Sequence, residues 1–159
     1  MYKIDKTDLE IINLLIEDGR MRAAEIARRI GNISERAVRY RIERMTQNDV
    51  MRISAIINPK SVGMMVVADV WLECDSNSIL EVARYLAGLE KISYVACSIG
   101  ETDLSLQIVA RDTAEAYRFV TEVIGKTPGV RKTTTSIVPL ILKDVYQWRI
   151  PSGIIKSDS

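Results

Sequence analysis

The stretch ISERAVRYRIERM, residues 33–45, carries four arginines and still keeps apolar residues at helical spacing. Val38, Ile42 and Met45 fall at i, i+4 and i+7, which is one face of a helix. Arg36, Tyr40, Glu43 and Gln47 fall on the opposite face, with Arg39 and Arg44 on the two flanks. A helix held down on one side and cationic on the other suits a polyanion. The plain alternative is a solvated face whose arginines serve helix propensity and ion pairing.

The residues upstream decide between these. A first helix is expected from about Lys6 to Asp18, with Asp5 as N-cap and Asp8 where the helix dipole favours an anion. Ile4 and Leu9 have the spacing of a hydrophobic staple, and Gly19 supplies a stop. A second helix runs from about Ala23 to Ile30 and ends at Gly31, with Ile26, Ala27 and Ile30 inward. Its N-cap, Arg22, is a poor one that costs about 1 kcal/mol against Ser or Asp. The third helix is the quoted stretch, capped by Ser34 and running to about Asn48. Two short helices joined by a tight turn, the second cationic, make a helix-turn-helix. Such a helix fits the major groove of B-DNA, where its first residues reach base edges and flanking cations neutralise phosphates. The planar arginine fork pairs bidentately with guanine or with phosphate.

Charge divides the chain in the same way. Residues 20–52 hold nine arginines against four acids, a net of +5, whereas residues 61–159 have a net of −2. A length of 159 residues fits one mid-sized domain or two small ones, and this asymmetry favours two with different partners. No apolar run is long enough for a membrane span, and MYKIDKTDLE lacks a signal-peptide core, so a cytoplasmic location is expected. Cys74 and Cys97 form no CxxC pair and read as buried, reduced thiols. With no histidine, the usual Ser-His-Asp, Cys-His and imidazole–metal systems are excluded, and no Walker A or GxGxxG string is present. No catalytic residue, metal or cofactor is expected.

Beyond the third helix, MRISAIINP (51–59) alternates apolar and polar positions and reads as a connecting strand, with a module boundary near residues 58–63. Then follow a strand (64–74), a helix (78–89, with a Ser78/Glu81 capping box), two strands (92–99 and 104–110) around the GETD turn, a helix (113–125, capped by Asp112 or Thr113) and a strand (130–142). That order, β-α-β-β-α-β, is the ferredoxin-like arrangement. The fold class is α+β: a helix-turn-helix (winged-helix-like) domain at 1–50, a connecting strand at 51–63, a ferredoxin-like βαββαβ domain at 64–147 and a tail at 148–159. Depending on register, Val67, Trp71 or Val95 lies on the sheet face away from the helices. An apolar face there implies a homodimer packed sheet to sheet, whose symmetry pairs two recognition helices on DNA.

IDKTDLEIINLLIEDGR, EIARRIG and ISERAVRYRIERM, followed by INPKSVG, SIGETDLSLQIVARD and TPGVRKTTTSIV, resemble the Lrp/AsnC family of prokaryotic transcription regulators over residues 3–147. The resemblance implies a DNA-binding N-terminal module and a C-terminal module that dimerises, assembles into higher oligomers and senses an amino acid. Ser34, Glu35, Arg36, Arg39, Tyr40 and Arg44 are the expected DNA-contacting residues, on a palindromic double-stranded operator. By the same resemblance the GETD turn lines an effector pocket where dimers meet, made by Ser98, Gly100, Glu101, Thr102, Asp103, Thr133 and Thr135. The chemistry fits a free amino acid: backbone groups of a Gly100 turn and two threonine hydroxyls face its carboxylate, and Asp103 accepts from its ammonium. The plain alternative is a hairpin in which Asp103 bonds locally.

Two positions depart from the family pattern. The turn Gly31-Asn32-Ile33-Ser34 is one residue longer than Gly-aliphatic-Ser, and Asp49 stands where glycine is expected after the third helix. Trp148, in a tail outside the resemblance, can pack on a neighbouring subunit, and the end of that tail is expected to be disordered. The rival readings are a sirohaem-decarboxylase-like enzyme and an amino-acid-binding module with a vestigial helix-turn-helix.

Overall fold

Asp5 opens the first helix, α1 (Lys6–Glu17). Its carboxylate accepts the Asp8 N–H at 2.8 Å, and the Asp8 carboxylate accepts the Asp5 N–H at 3.2 Å. This reciprocal capping box satisfies two donors that the helix leaves unpaired. α1 ends at Asp18 in extended backbone (φ −144, ψ 101), and Gly19 takes no left-handed conformation. Asp18 leaves the helix by itself, its carboxylate accepting the Arg20 N–H at 2.9 Å. The structure, a computed structural model, describes residues 2–151.

α2 (Ala23–Ile30) starts at Arg22 without a side-chain cap and stops at Gly31. α3 (Glu35–Gln47) starts at Ser34, whose hydroxyl accepts the Ala37 N–H at 3.2 Å. Ile11, Ile26, Val38 and Met45 are fully enclosed, with Ile30, Ile33 and Ile42 packed around them. Each such side chain contributes about 1.5–3 kcal/mol of burial. Beyond α3, Asp49 sits at φ 54, its N–H bonded to Thr46 O (3.2 Å) and the Val50 N–H to Met45 O (2.9 Å). These are the two bonds of a Schellman ending, made here on an aspartate.

Residues 51–58 form no strand. A strand must share its N–H and C=O groups with a neighbour, and no described segment pairs with this one, so Ile53, Ile56 and Ile57 stay exposed. The helical unit therefore has no wing among the described residues. The tail is not a separate segment either: from Lys143 it groups with the helices of residues up to Ile56, and Ile150 packs on their core. Trp148 remains largely exposed, and the expected disorder of the last residues lies outside the described range.

The second unit spans Ile57–Leu142. After a 3-10 turn at Pro59–Val62 come β1 (Val66–Cys74), α4 (Ile79–Ala87), β2 (Ile92–Cys97), β3 (Leu104–Ala110), α5 (Thr113–Arg118) and β4 (Val130–Val138). The strands lie in the order β2-β3-β1-β4, every pair antiparallel, which is the ferredoxin-like sheet. Alternate residues Ala68, Val70 and Leu72 of β1 and Leu104, Leu106 and Ile108 of β3 pack against Val82, Leu86, Ala116, Val120 and Ile124 from the helical layer. On the other face, Asp69, Gln107 and Ser136 form one row and Trp71, Ser105 and Thr134 the next.

Several local expectations are corrected. Ser78 already has helical backbone (φ −109, ψ −8), so its hydroxyl cannot swing back to form the Ser78/Glu81 box. The helix after Asp112 widens at Phe119–Ile124 into a π turn, closed by Gly125 N–H to Val120 O at 2.7 Å. β4 stops before Pro139, which has no N–H for the ladder. Val95 pairs with Leu106 and faces the helices, leaving Val67 and Trp71 on the other face. Cys74 is buried, but Cys97, at the end of an edge strand, is exposed.

Candidate nucleic-acid interface and effector turn

The outer surface of α3 carries the expected residues in unequal states. Arg36 is exposed and makes no hydrogen bond or ion pair among the described residues. Arg39, 72% exposed at its side chain, is ion-paired with Glu35 one turn earlier. Tyr40 is exposed, and the Arg44 guanidinium lies over its ring, 5.6 Å from the centroid, and over that of Tyr2 at 5.2 Å. Ser34 is spent on the helix cap.

Arg41, which is not among the expected DNA-contacting residues, locks α3 to α1. Its Nη1 donates to Asp8 Oδ1 and Asp5 Oδ2, both at 2.7 Å, and Asp8 is 1% exposed. The Tyr2 hydroxyl donates to Asp8 Oδ2 at 3.0 Å. Removing Arg41 would leave the buried Asp8 carboxylate without its counter-charge, which destabilises the fold. Burial pushes the Asp5 carboxyl up, but the Asp8 N–H and Arg41 outweigh it and hold the group below the usual carboxylate range. Arg41, hydrogen-bonded to Asp5 and Asp8, is held even more firmly protonated than usual. The available signal was position: three residues after Val38, Arg41 sits at the edge of the buried face rather than on the outer one.

On α2, Arg28 and then Arg29 clasp Glu25 and hold its carboxyl at about 2, so two of the nine arginines are partly neutralised within the chain. On α3, Arg39 and Arg41 are ion-paired as well, and Arg36 and Arg44 have no carboxylate partner among the described residues.

At the GETD turn the chain brings Ser98 and residues 100–103 together, the Ser98 N–H donating to Asp103 O at 2.8 Å. Gly100 has φ +152 with open space where a Cβ would stand, a backbone that glycine takes without steric penalty. Ile99 beside it is wholly exposed. Asp103 does more than line a surface: its N–H donates to Leu72 O at 2.8 Å and its Oδ2 accepts the Cys74 N–H at 2.7 Å. The carboxylate thus stands in for a strand carbonyl and carries the β1 ladder past the end of β3. Oδ1 makes no hydrogen bond among the described residues and is open to a ligand. Thr133 and Thr135 pair with Leu72 and Val70 across the far side of β1, on the helix-facing side of the edge strand β4. They lie on the strand beyond β1, about 10 Å, two strand spacings, from the line of β3. Among the described residues no cluster of three carboxylates or thiols can hold a metal, and no helix is long and apolar enough to cross a membrane.

A cationic helix-turn-helix followed by a ferredoxin-like sheet defines a helix-turn-helix transcription regulator. Residues 4–46 match the AsnC-type helix-turn-helix domain and residues 67–147 match the Lrp/AsnC ligand binding domain. The chain belongs to the Lrp/AsnC family. It is 36% identical over 145 residues to an uncharacterized HTH-type transcriptional regulator of Pyrococcus abyssi, covering 91% of each chain. It is 32% identical to the HTH-type transcriptional regulator LrpA of Pyrococcus horikoshii, covering 85% of this chain and 96% of that one. In fold it is similar to E. coli AsnC (TM-score 0.82, 21% identity, 91% and 99% covered). It is likewise similar to a Neisseria meningitidis transcriptional regulator solved as its L-Met complex (TM-score 0.87, 22% identity, 96% and 100% covered). The family and its named relatives are transcription regulators, not enzymes, which sets aside the decarboxylase reading.

Proposed function

We propose that α3 reads an operator in the major groove, with Arg36, Arg39 and Tyr40 at base edges, Arg44 nearer the phosphates, and Ser34 and Glu35 at the leading end of the helix. The observation that carries this is the outer face of α3, where all four basic and aromatic side chains are exposed on a helix whose other face is locked by Val38, Met45 and Arg41. The working form is a cytoplasmic homodimer that assembles further and binds a palindromic site. Its sheet faces carrying Val67 and Trp71 pack against each other.

The effector is a free amino acid, held by Ser98, Gly100, Glu101, Thr102, Asp103, Thr133 and Thr135 where dimers meet. A site shared between copies is favoured by the fully exposed Ile99 at the turn. The solved L-Met complex of a protein with this fold supports the ligand class. Binding changes DNA affinity only by favouring one assembly over another, a coupling of about 1–3 kcal/mol.

A genomic pull-down with the purified protein, with and without the twenty amino acids, tests both halves. Enrichment of palindromic sites, changed by an amino acid, is expected. Even recovery of all DNA refutes sequence-specific reading; calorimetry with no heat from any amino acid refutes the sensing half alone.

A further inference from the structure

Tyr2 belongs to none of the elements assigned a role above, yet it joins two of them. Its hydroxyl is anchored on the buried Asp8 at 3.0 Å, in the same carboxylate cluster that Arg41 grips from α3. Its ring lies under the Arg44 guanidinium at 5.2 Å, with Tyr40 on a second side at 5.6 Å. Burial first, and then the hydrogen bond to Asp8, push the Tyr2 phenol above its ordinary value, so it remains a donor throughout the neutral range.

We propose that Tyr2 is a positioning residue for DNA binding, holding the Arg44 cation between two aromatic rings in the place where a phosphate meets it. The inference rests on α3 being the DNA-contacting helix. An exposed arginine samples many rotamers, and ordering it on a phosphate costs conformational entropy. A cation held over an aromatic face has lost part of that freedom already, and it still offers its N–H edge outward. The anchor matters because Tyr2 precedes α1, outside the helix. Tied to Asp8, which is itself capped and ion-paired, the ring is fixed to the same rigid corner as α3.

The test is a double-mutant cycle read on a random-sequence duplex, since a phosphate contact acts on every sequence. Affinity is measured against salt for wild type, Tyr2→Leu, Arg44→Ala and the double variant. Leucine keeps apolar packing and removes the π face; Tyr2→Phe keeps the ring and loses the hydroxyl. Arg44→Ala is expected to flatten the logarithmic salt dependence by about 0.9 per phosphate contact. Tyr2→Leu is expected to weaken binding about two- to fivefold and flatten the slope in the same direction. In the Arg44→Ala background Tyr2→Leu adds nothing, and Tyr2→Phe, which keeps the ring but loses its anchor on Asp8, falls between wild type and Tyr2→Leu. The proposal is overturned if Tyr2→Leu leaves the slope unchanged, if its effect persists without Arg44, or if Phe falls as far as Leu. An Arg44→Ala protein with wild-type binding would overturn the placement of Arg44 on DNA itself, a distinct failure.

Discussion

Arg36 and Arg39 stand one turn apart on α3, but they begin from different states, and this makes their substitutions separable. Arg36 has no partner among the described residues, so Arg36→Ala removes nothing from the free protein; its thermal unfolding should stay within about 0.5 kcal/mol of wild type. A good bidentate base contact is worth about 1–3 kcal/mol, which makes the loss in operator affinity about 5- to 150-fold per contact. Arg39 must first leave or share Glu35, an exposed i,i+4 pair worth about 0.3–0.5 kcal/mol. That is small against a base contact, so Arg39→Ala should weaken binding nearly as much. Glu35→Gln removes the competing carboxylate and its repulsion from phosphate, and should tighten binding by about twofold. The assay is fluorescence anisotropy on a recovered operator and on single-base variants of it. Wild-type affinity in an Arg36→Ala, Arg39→Ala double variant refutes the assignment. If Glu35→Gln instead weakens binding and relaxes preference at one base pair, Glu35 is itself a base reader.

Three further outcomes follow from local geometry. Asp49→Gly relieves a left-handed aspartate at φ 54, and the gain of about 1 kcal/mol exceeds the extra unfolded-state freedom of glycine only slightly, so a small rise in Tm is expected by calorimetry. Glu115 is buried, bonded to Arg111 and to Lys91, and held at about 2. Because the folded carboxyl binds its proton less readily than the unfolded one, its contribution is present above about 4.5 and lost as pH falls toward 2; Glu115→Gln should flatten that part of an acid-unfolding curve followed by circular dichroism. Asp103→Asn keeps an acceptor for the Cys74 N–H and removes the charge, so it should fold normally and lose the calorimetric response to amino acid. Asp103→Ala should in addition lose about 1–3 kcal/mol of stability for the orphaned amide.

What was legible in the sequence was whatever is decided within a turn or two of chain. The apolar spacing of Val38, Ile42 and Met45, the Ser34 cap, a cap at Asp112 or Thr113 (Asp112 in the structure) and the strand-forming runs of β1 and β3 all depend on near neighbours, and the structure has them. The illegible part depends on partners far away in sequence. Arg41 meets Asp8 across 33 residues, and Asp103 meets Cys74 across 29, so composition and period carry no trace of either bond. Asp103 shows the consequence for function. A carboxylate in a glycine turn reads as a free ligand, and half of it is already committed to the ladder.

The segment 51–58 is the instructive failure, because its pattern and its conformation disagree. Met51 and Ile53 alternate with Arg52 and Ser54 as in a half-buried strand, a period that Ile56 then breaks, yet the chain offers no ladder to join and leaves Ile53 and Ile57 more than half exposed. An alternating segment with unpaired backbone groups is a template for another strand. In the homodimer proposed here the second copy of the same segment is the available partner, and a two-fold axis pairs it antiparallel with itself. Successive residues in such a pair point their N–H groups to opposite sides, so one of Ser54→Pro and Ala55→Pro must remove a ladder donor, whichever register is used. If the segment pairs between copies, one of these two variants weakens the dimer markedly in light scattering at micromolar concentration and the other leaves it nearly intact. If the segment is an irregular connector in the assembled protein as well, proline is tolerated at both positions and neither mass changes. The second result would leave the sheet faces to hold the dimer alone.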